Sequence, residues 1–154
     1  LLPHESAHEY VARVALAKAR AAWSSPLRTQ DWPILSADTT VAIDDLSLAK
    51  PADEQEFFAM MQRLGGREHT VYTAVGLKFG ELELCEVDST KVWMRTMSAA
   101  ELAADWASGE PRDKAGGYAI QGRAARYISR IEGSYANVVG LPVHIVERLL
   151  RGLG

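Results

Sequence analysis

Apolar residues recur along this chain in two rhythms. One is the three-to-four-residue spacing of a helix face; the other is the alternation of a half-buried strand. Ser6-x-x-Glu9 reads as a capping box. The Ala-rich stretch behind it predicts a helix as far as Trp23, with Tyr10, Val14, Ala17 and Ala21 on one face. Ser24-Ser25-Pro26 stops it. Residues 33–43 read as a strand interrupted by one acid, Asp38, and residues 44–51 as a loop. Asp53-x-x-Glu56 opens a second helix with Phe57, Met60, Met61 and Leu64 as its stripe, closed by Gly65-Gly66.

Residues 69–79 and 82–95 alternate as two strands about a Gly80-Glu81 turn. Ser98-x-x-Glu101 caps a third helix that turns Leu102 and Trp106 inward, and Gly109-Glu110-Pro111 breaks it. Residues 112–122 are polar and Gly-rich. A short strand at 126–131 precedes a last helix, with Pro142 at its first turn and Ile145, Val146, Leu149 and Leu150 facing in. Helices and strands alternate around one central hairpin. The expected fold is α/β, a single domain over residues 1–154 built on a mixed sheet.

Composition narrows the function more than the fold. A chain of 154 residues with 47% hydrophobic residues buries roughly 70% of its unfolded surface, so it needs no disulfide or metal to fold. Its one cysteine, Cys85, excludes an internal disulfide and a multi-cysteine zinc site, and reads as a half-buried strand residue. The net charge of −3, without a Lys/Arg cluster, argues against nucleic acid as a partner. No apolar run is long enough for a membrane span. No secretory leader is read, and the cytoplasm is the expected compartment.

Asp38 is the sharpest anomaly. Asp is depleted in strands, and a buried carboxylate needs a cation or a metal beside it. Two readings stay open: a turn or bulge where Asp38 caps Thr40, or a general base or metal ligand at a strand end. Lys18 reads as a snorkelling surface residue. Lys50, between a loop and a helix, is either solvated or within reach of a phosphate. The segment 110–122 gathers Glu110, Arg112, Asp113, Lys114, Gln121 and three glycines. It is either a plain surface loop or a loop whose amides approach an anion. His4, His8, His69 and His144 are scattered; His4 and His8, one turn apart, read as solvated residues in preference to a metal pair.

At these residues the chain resembles the Maf family of nucleotide pyrophosphatases. Ser36-Ala37-Asp38-Thr39-Thr40-Val41, Ala49-Lys50-Pro51 and Leu64-Gly65-Gly66-Arg67-Glu68-His69-Thr70-Val71-Tyr72-Thr73 carry the resemblance. So do the run from Ser108 to Gly122 and the run from Ile131 to Pro142. The likeness is collinear over essentially the whole chain and extends to the first helix from Tyr10 to Ala19. It implies an elongated α/β fold related to inosine triphosphatases, with a central mixed sheet, a deep nucleotide-binding cleft and, often, a homodimer. It implies hydrolysis of a nucleoside triphosphate to the monophosphate and pyrophosphate, in removal of aberrant nucleotides or in septum formation and division arrest.

The same resemblance assigns roles. Asp38 matches the family's proton acceptor. Lys18, Lys50 and, more weakly, Lys114 match residues that hold the triphosphate. Thr39 and Gln121 match the specificity positions. A divalent cation, Mg²⁺ or Mn²⁺, is implied, with Asp38 or Asp113 as its candidate ligand. Asp38-Thr39 and Ile120-Gln121-Gly122 are similar to the branch acting on dTTP and UTP; the branch acting on 7-methyl-GTP carries Gln after the Asp and a Ser-Glu-Gly loop end. One departure is expected to matter. The family opens with a strand and a Ser-x-Ser-Pro-Arg-Arg phosphate loop ahead of the first long helix, and this sequence starts beyond it. Three functions follow: an active dTTP/UTP pyrophosphatase, the same enzyme acting on modified pyrimidine nucleotides, or a catalytically weak nucleotide-binding or division-regulating relative.

Overall fold

The first helix begins at its capping box. In the computed structural model, which describes residues 1–154, Ser6 Oγ accepts from the Glu9 amide and the Glu9 carboxylate accepts from the Ser6 amide. These bonds satisfy donors that the first turn leaves unpaired. Helix α1 spans Ala7–Trp23. Its buried stripe is Val11, Ala15 and Ala19, one position round from the expected face of Tyr10, Val14, Ala17 and Ala21. Close approach decides the face. Ala15 lies over Gly76, where an added Cβ would stand 3.2 Å from the Ala15 carbonyl oxygen. Ser36 Oγ donates to that same carbonyl at 2.6 Å. Residues without bulk let helix and sheet backbones meet.

Five strands form one sheet: β1 (Ile34–Ile43), β2 (Leu46–Leu48), β3 (Glu68–Phe79), β4 (Leu82–Met94) and β5 (Ile128–Glu132), in the order β2-β1-β3-β4-β5. All four pairings are antiparallel, which corrects the mixed sheet expected from the sequence. Two tight hairpins set this arrangement, because a two-residue turn can only reverse the chain. One is Gly80-Glu81. The other is Asp44-Asp45, both left-handed at φ +51° and +61°, as the tight hairpin turn requires. Strand β2 therefore lies inside the span read as a loop; three residues are too few to show alternation.

Helices α2 (Glu54–Leu64), α3 (Ala99–Ser108), α4 (Tyr135–Val139) and α5 (Val143–Arg151) complete the fold. Helix α4 is too short to have left a periodic trace in the sequence. None of the helices is long and apolar enough to cross a membrane. Phe57, Met61 and Leu64 of α2 pack with Val41, Val71 and Val92 of the sheet in the main core. Ile145 and Leu149 of α5 cover Val75 and Leu77 on the same face. Leu150, expected inward, is exposed. Helix α1 covers the other face, where its Val11 and Ala15 pack with Ala74 of β3. Each fully buried aliphatic or aromatic side chain contributes roughly 1.5–3 kcal/mol relative to exposure.

The Gly-rich segment is wedged between β1 and α2 as a series of short 3₁₀ turns. Gly116 donates its amide to Ala49 O at 3.0 Å, and a Cβ on it would come within 2.9 Å of Val41. Gly117, at φ +77°, leaves no room either: its Cβ would sit 2.8 Å from the Phe57 ring. Two polar contacts fasten the segment. Asp105 of α3, buried beside Leu102, accepts from Arg123 Nε and Arg126 at 2.7 Å and from the Tyr127 hydroxyl at 2.6 Å. A buried carboxylate so fully paired is held, not left to destabilise the core. Tyr118 OH meets His69 Nε2 at 2.6 Å, while His69 Nδ1 is buried without a partner. If Tyr118 donates, Nδ1 carries the ring proton and one donor is orphaned. The reverse tautomer orphans both Nδ1 and the phenol proton. The first arrangement is the cheaper.

Two outcomes test this packing. Gly117→Ala combines left-handed strain with a clash against Phe57. It is expected to lower unfolding free energy by about 2–4 kcal/mol in urea denaturation. Burial also pushes His69 down from 6.5 to about 4. The unfolded chain therefore takes up the proton first. Stability is full above pH 6.5 and falls as pH drops toward 4, by on the order of 3 kcal/mol. Glu83 and Glu101, held down to about 2 chiefly by hydrogen bonds from Arg20 and Arg95, lose their contribution only below 4.5. Urea denaturation at stepped pH should show the drop in the native chain and a flat profile from pH 6.5 to 4.5 in His69→Gln.

Candidate active site

Strand β1 carries residues of different chemistry on its two faces. Ser36 and Asp38 turn toward α1, where they meet Ala15 and Lys18. Thr39 and Val41 turn to the other face, toward Thr73 and the main core. Strand β2 pairs with β1 only from Val41 to Ile43, so the ladder ends just past the acid. A cleft of about 440 Å³ opens there, with Tyr10, Asp38, Thr39, Ser47, Lys50 and Ala115 in its walls. A second hollow of about 220 Å³ adjoins it, lined among others by Thr39, Lys50, Asp113, Lys114 and Gln121. Thr39, Lys50 and Ala115 belong to both.

The acid in the strand is neither a turn nor a bulge. Asp38 sits in regular register opposite Ala74. Its side chain is only 14% exposed and its Oδ1 accepts from Lys18 Nζ at 2.6 Å. Lys18 also donates to Ala37 O at 3.2 Å. Lys18 is therefore bound to the carboxylate instead of standing free in the cleft, and one of its three donors remains uncommitted. No protein group donates to Asp38 Oδ2. Lys50 is exposed and makes no ion pair. Lys114 lies 3.5 Å from Asp113, whose side chain is 71% exposed. Gln121 is exposed at the edge of the hollow, both ends of its carboxamide unengaged.

The residues singled out from the sequence thus come together: Asp38 with Lys18 beneath it, then Thr39 and Lys50 at the junction, then Asp113, Lys114 and Gln121 beyond. His4, His8 and His144 stand apart from both hollows. No three His, Cys, Asp or Glu side chains cluster to cage a metal ion. This donor set suits a hard cation of the Mg²⁺ kind, which takes one or two carboxylates and otherwise waters and substrate phosphates. Sequence reading missed the support behind Thr39. Thr39 Oγ1 lies 2.8 Å from Thr73 Oγ1, and Thr73 donates to the Asn137 carbonyl at 2.8 Å. The available signal was a hydroxyl at an inward position of β3, between Val71 and Val75.

Comparison with known proteins follows the same residues. The family model described as Maf-like protein matches residues 2–153. A dTTP/UTP pyrophosphatase of Pseudoalteromonas translucida is 45% identical over 150 residues, spanning 97% of this chain and 78% of that protein. A dTTP/UTP pyrophosphatase of Nitrosomonas europaea is 46% identical over 158 residues, spanning 99% of this chain and 75% of its own. Another from Bordetella parapertussis is 45% identical over 154 residues, spanning 99% and 74%. With a match to the family model from end to end, and with relatives at this identity, the chain belongs to the Maf family.

Proposed function

We propose that this chain, acting as one domain, hydrolyses dTTP and UTP to the nucleoside monophosphate and pyrophosphate. One observation carries the reading. A carboxylate inside a strand has one oxygen fixed by a lysine and the other free of protein donors at the cleft, opposite an unpaired lysine. The names of the relatives supply the substrates. Thr39 and Gln121, at positions where the family's branches differ, support the same choice.

The chemistry then follows from placement. Lys18 holds Asp38 Oδ1 and so orients the carboxylate, leaving Oδ2 to accept a proton from the attacking water. The water oxygen bonds to the α-phosphorus, the bond from that phosphorus to the bridging oxygen breaks, and pyrophosphate leaves with the electron pair. Lys50 and Lys114 bind phosphate oxygens, and the third Lys18 donor is within the same neighbourhood. Catalysis of this kind depends on positioning and charge more than on covalent chemistry. Asp38 or Asp113 is the residue that would hold a divalent cation, Mg²⁺ or Mn²⁺. Such a cation, when bound, supplies charge neutralisation on the phosphate oxygens and the departing pyrophosphate. Gln121 donates its carboxamide N–H to the O4 oxygen of the pyrimidine.

Pyrophosphate release from dTTP and UTP tests the reading directly. Asp38→Asn keeps the shape of the side chain and is expected to lower kcat by about 10²–10⁴ with little change in KM. Chelation with EDTA is expected to abolish release, and added Mg²⁺ to restore it. Nucleotide binding with no release by the native chain would overturn the enzyme in favour of a binding protein. Gln121→Ala is expected to raise KM for both nucleotides by about tenfold, the equivalent of one hydrogen bond, while sparing kcat.

A further inference from the structure

Thr39 and Thr73 face each other across the β1–β3 register. Each hydroxyl has one proton and two lone pairs. Thr73 Oγ1 lies 2.8 Å from the Asn137 carbonyl oxygen and 2.8 Å from Thr39 Oγ1. A carbonyl cannot donate, so the Thr73 proton is spent on Asn137. Thr73 then offers only lone pairs to Thr39, and the Thr39 proton must lie between the two threonines. The direction of this chain is fixed from behind. Asn137 is fully buried, and its Nδ2 donates to Val71 O at 3.1 Å and to Thr90 Oγ1 at 2.8 Å. Its carbonyl also accepts the Gly140 amide at 3.1 Å. Thr73 itself is 0% exposed, so no water competes for its proton.

Thr39 is at the other end of the chain, in the wall shared by the cleft and the hollow that holds Gln121. Its proton is already committed inward, so what it presents to a ligand is an acceptor alone. We propose that Thr73 is a positioning residue that makes Thr39 an acceptor-only group, and that this selects nucleobases with a ring N–H, uracil and thymine, against cytosine. The inference rests on the pyrimidine triphosphate reading above and adds the physical source of its selectivity. Uracil and thymine offer N3–H to the Thr39 oxygen. Cytosine places a bare ring nitrogen there, and two acceptors facing each other at hydrogen-bond distance leave both unpaired. An ordinary threonine could turn its hydroxyl and donate instead. This one cannot do so without stranding the buried Thr73 oxygen.

The test compares kcat and KM for UTP, CTP and N3-methyl-UTP in the native chain, Thr73→Val and Thr73→Ser. The native chain is expected to favour UTP over CTP in kcat/KM by at least about 100-fold, since a site built around one hydrogen-bond pattern rejects its inverse strongly. Thr73→Val removes the acceptor behind Thr39 and frees its hydroxyl to turn. The preference should fall by at least about tenfold, through a lower KM for CTP, with kcat for UTP held within about threefold. Thr73→Ser should restore the preference, which general loosening of the core would not do. On the native chain, N3-methyl-UTP should show a KM at least about tenfold above that of UTP. An unchanged UTP-to-CTP ratio in folded Thr73→Val overturns the inference. If that variant does not fold, an unchanged KM for N3-methyl-UTP overturns it instead. A native chain that releases pyrophosphate from none of the three overturns the hydrolase reading, and this inference with it.

Discussion

Adjacent residues of a strand point to opposite faces of its sheet, and the site depends on that constraint. Asp38 and Thr39 are neighbours in β1. The first meets Lys18 on the α1 side, and the second meets Thr73 on the core side. One ligand can touch both only by crossing the strand's edge. Crossing is possible because the β2 ladder stops opposite Val41 and does not extend along Thr39 and Asp38. Had the β1–β2 hairpin run three residues further, its ladder would have sealed the edge, and the carboxylate and the threonine would have belonged to separate surfaces. Hairpin length is therefore part of the active-site geometry.

The second requirement is a wall for the far side of that edge, and the Gly-rich segment provides it. Its amide contact with Ala49 and its close approach to Val41 bring Asp113, Lys114 and Gln121 beside Thr39 and Lys50. A segment this polar would ordinarily lie in solvent. Here it is pinned at both ends: Gly116, Gly117 and Tyr118 insert into the core, while Arg123, Arg126 and Tyr127 converge on Asp105. Between the pins, Gln121 stays exposed. The loop is thus rigid where it packs and accessible where it meets a ligand.

How much of this was legible in the sequence depends on how local each signal is. Capping boxes at Ser6 and Ser98, the Gly80 turn and the long alternating strands are written in neighbouring residues, and they appear where expected. The buried face of α1 was not legible. In an Ala-rich helix several faces look equally apolar, and the choice was made by Gly76, which lies far along the chain. The antiparallel sheet was missed because strand direction is a property of pairs, not of single segments. Among site residues, Asp38, Lys50 and Gln121 stood out as polar groups at odd places. Lys18 reads as surface decoration until its partner Asp38 is known. Thr73 showed only as a hydroxyl at an inward strand position and Asn137 gave no signal, because a hydroxyl and an amide acquire direction only from what they touch.

Charge is the last constraint on how the cleft works. Three lysines, Lys18, Lys50 and Lys114, stand against two carboxylates, Asp38 and Asp113, leaving one net positive charge to receive a triphosphate. Lys18 is already spent largely on Asp38, and Lys114 is shared with Asp113. Lys50 is the one cation wholly available. A single exposed lysine screened by solvent cannot balance several phosphate oxygens. Under the proposed hydrolase reading, a cation arriving with the substrate would supply the rest of that charge through waters and substrate phosphates. The same arithmetic explains why Asp38 tolerates its place. Lys18 compensates the carboxylate before substrate arrives, and only the second oxygen remains for chemistry.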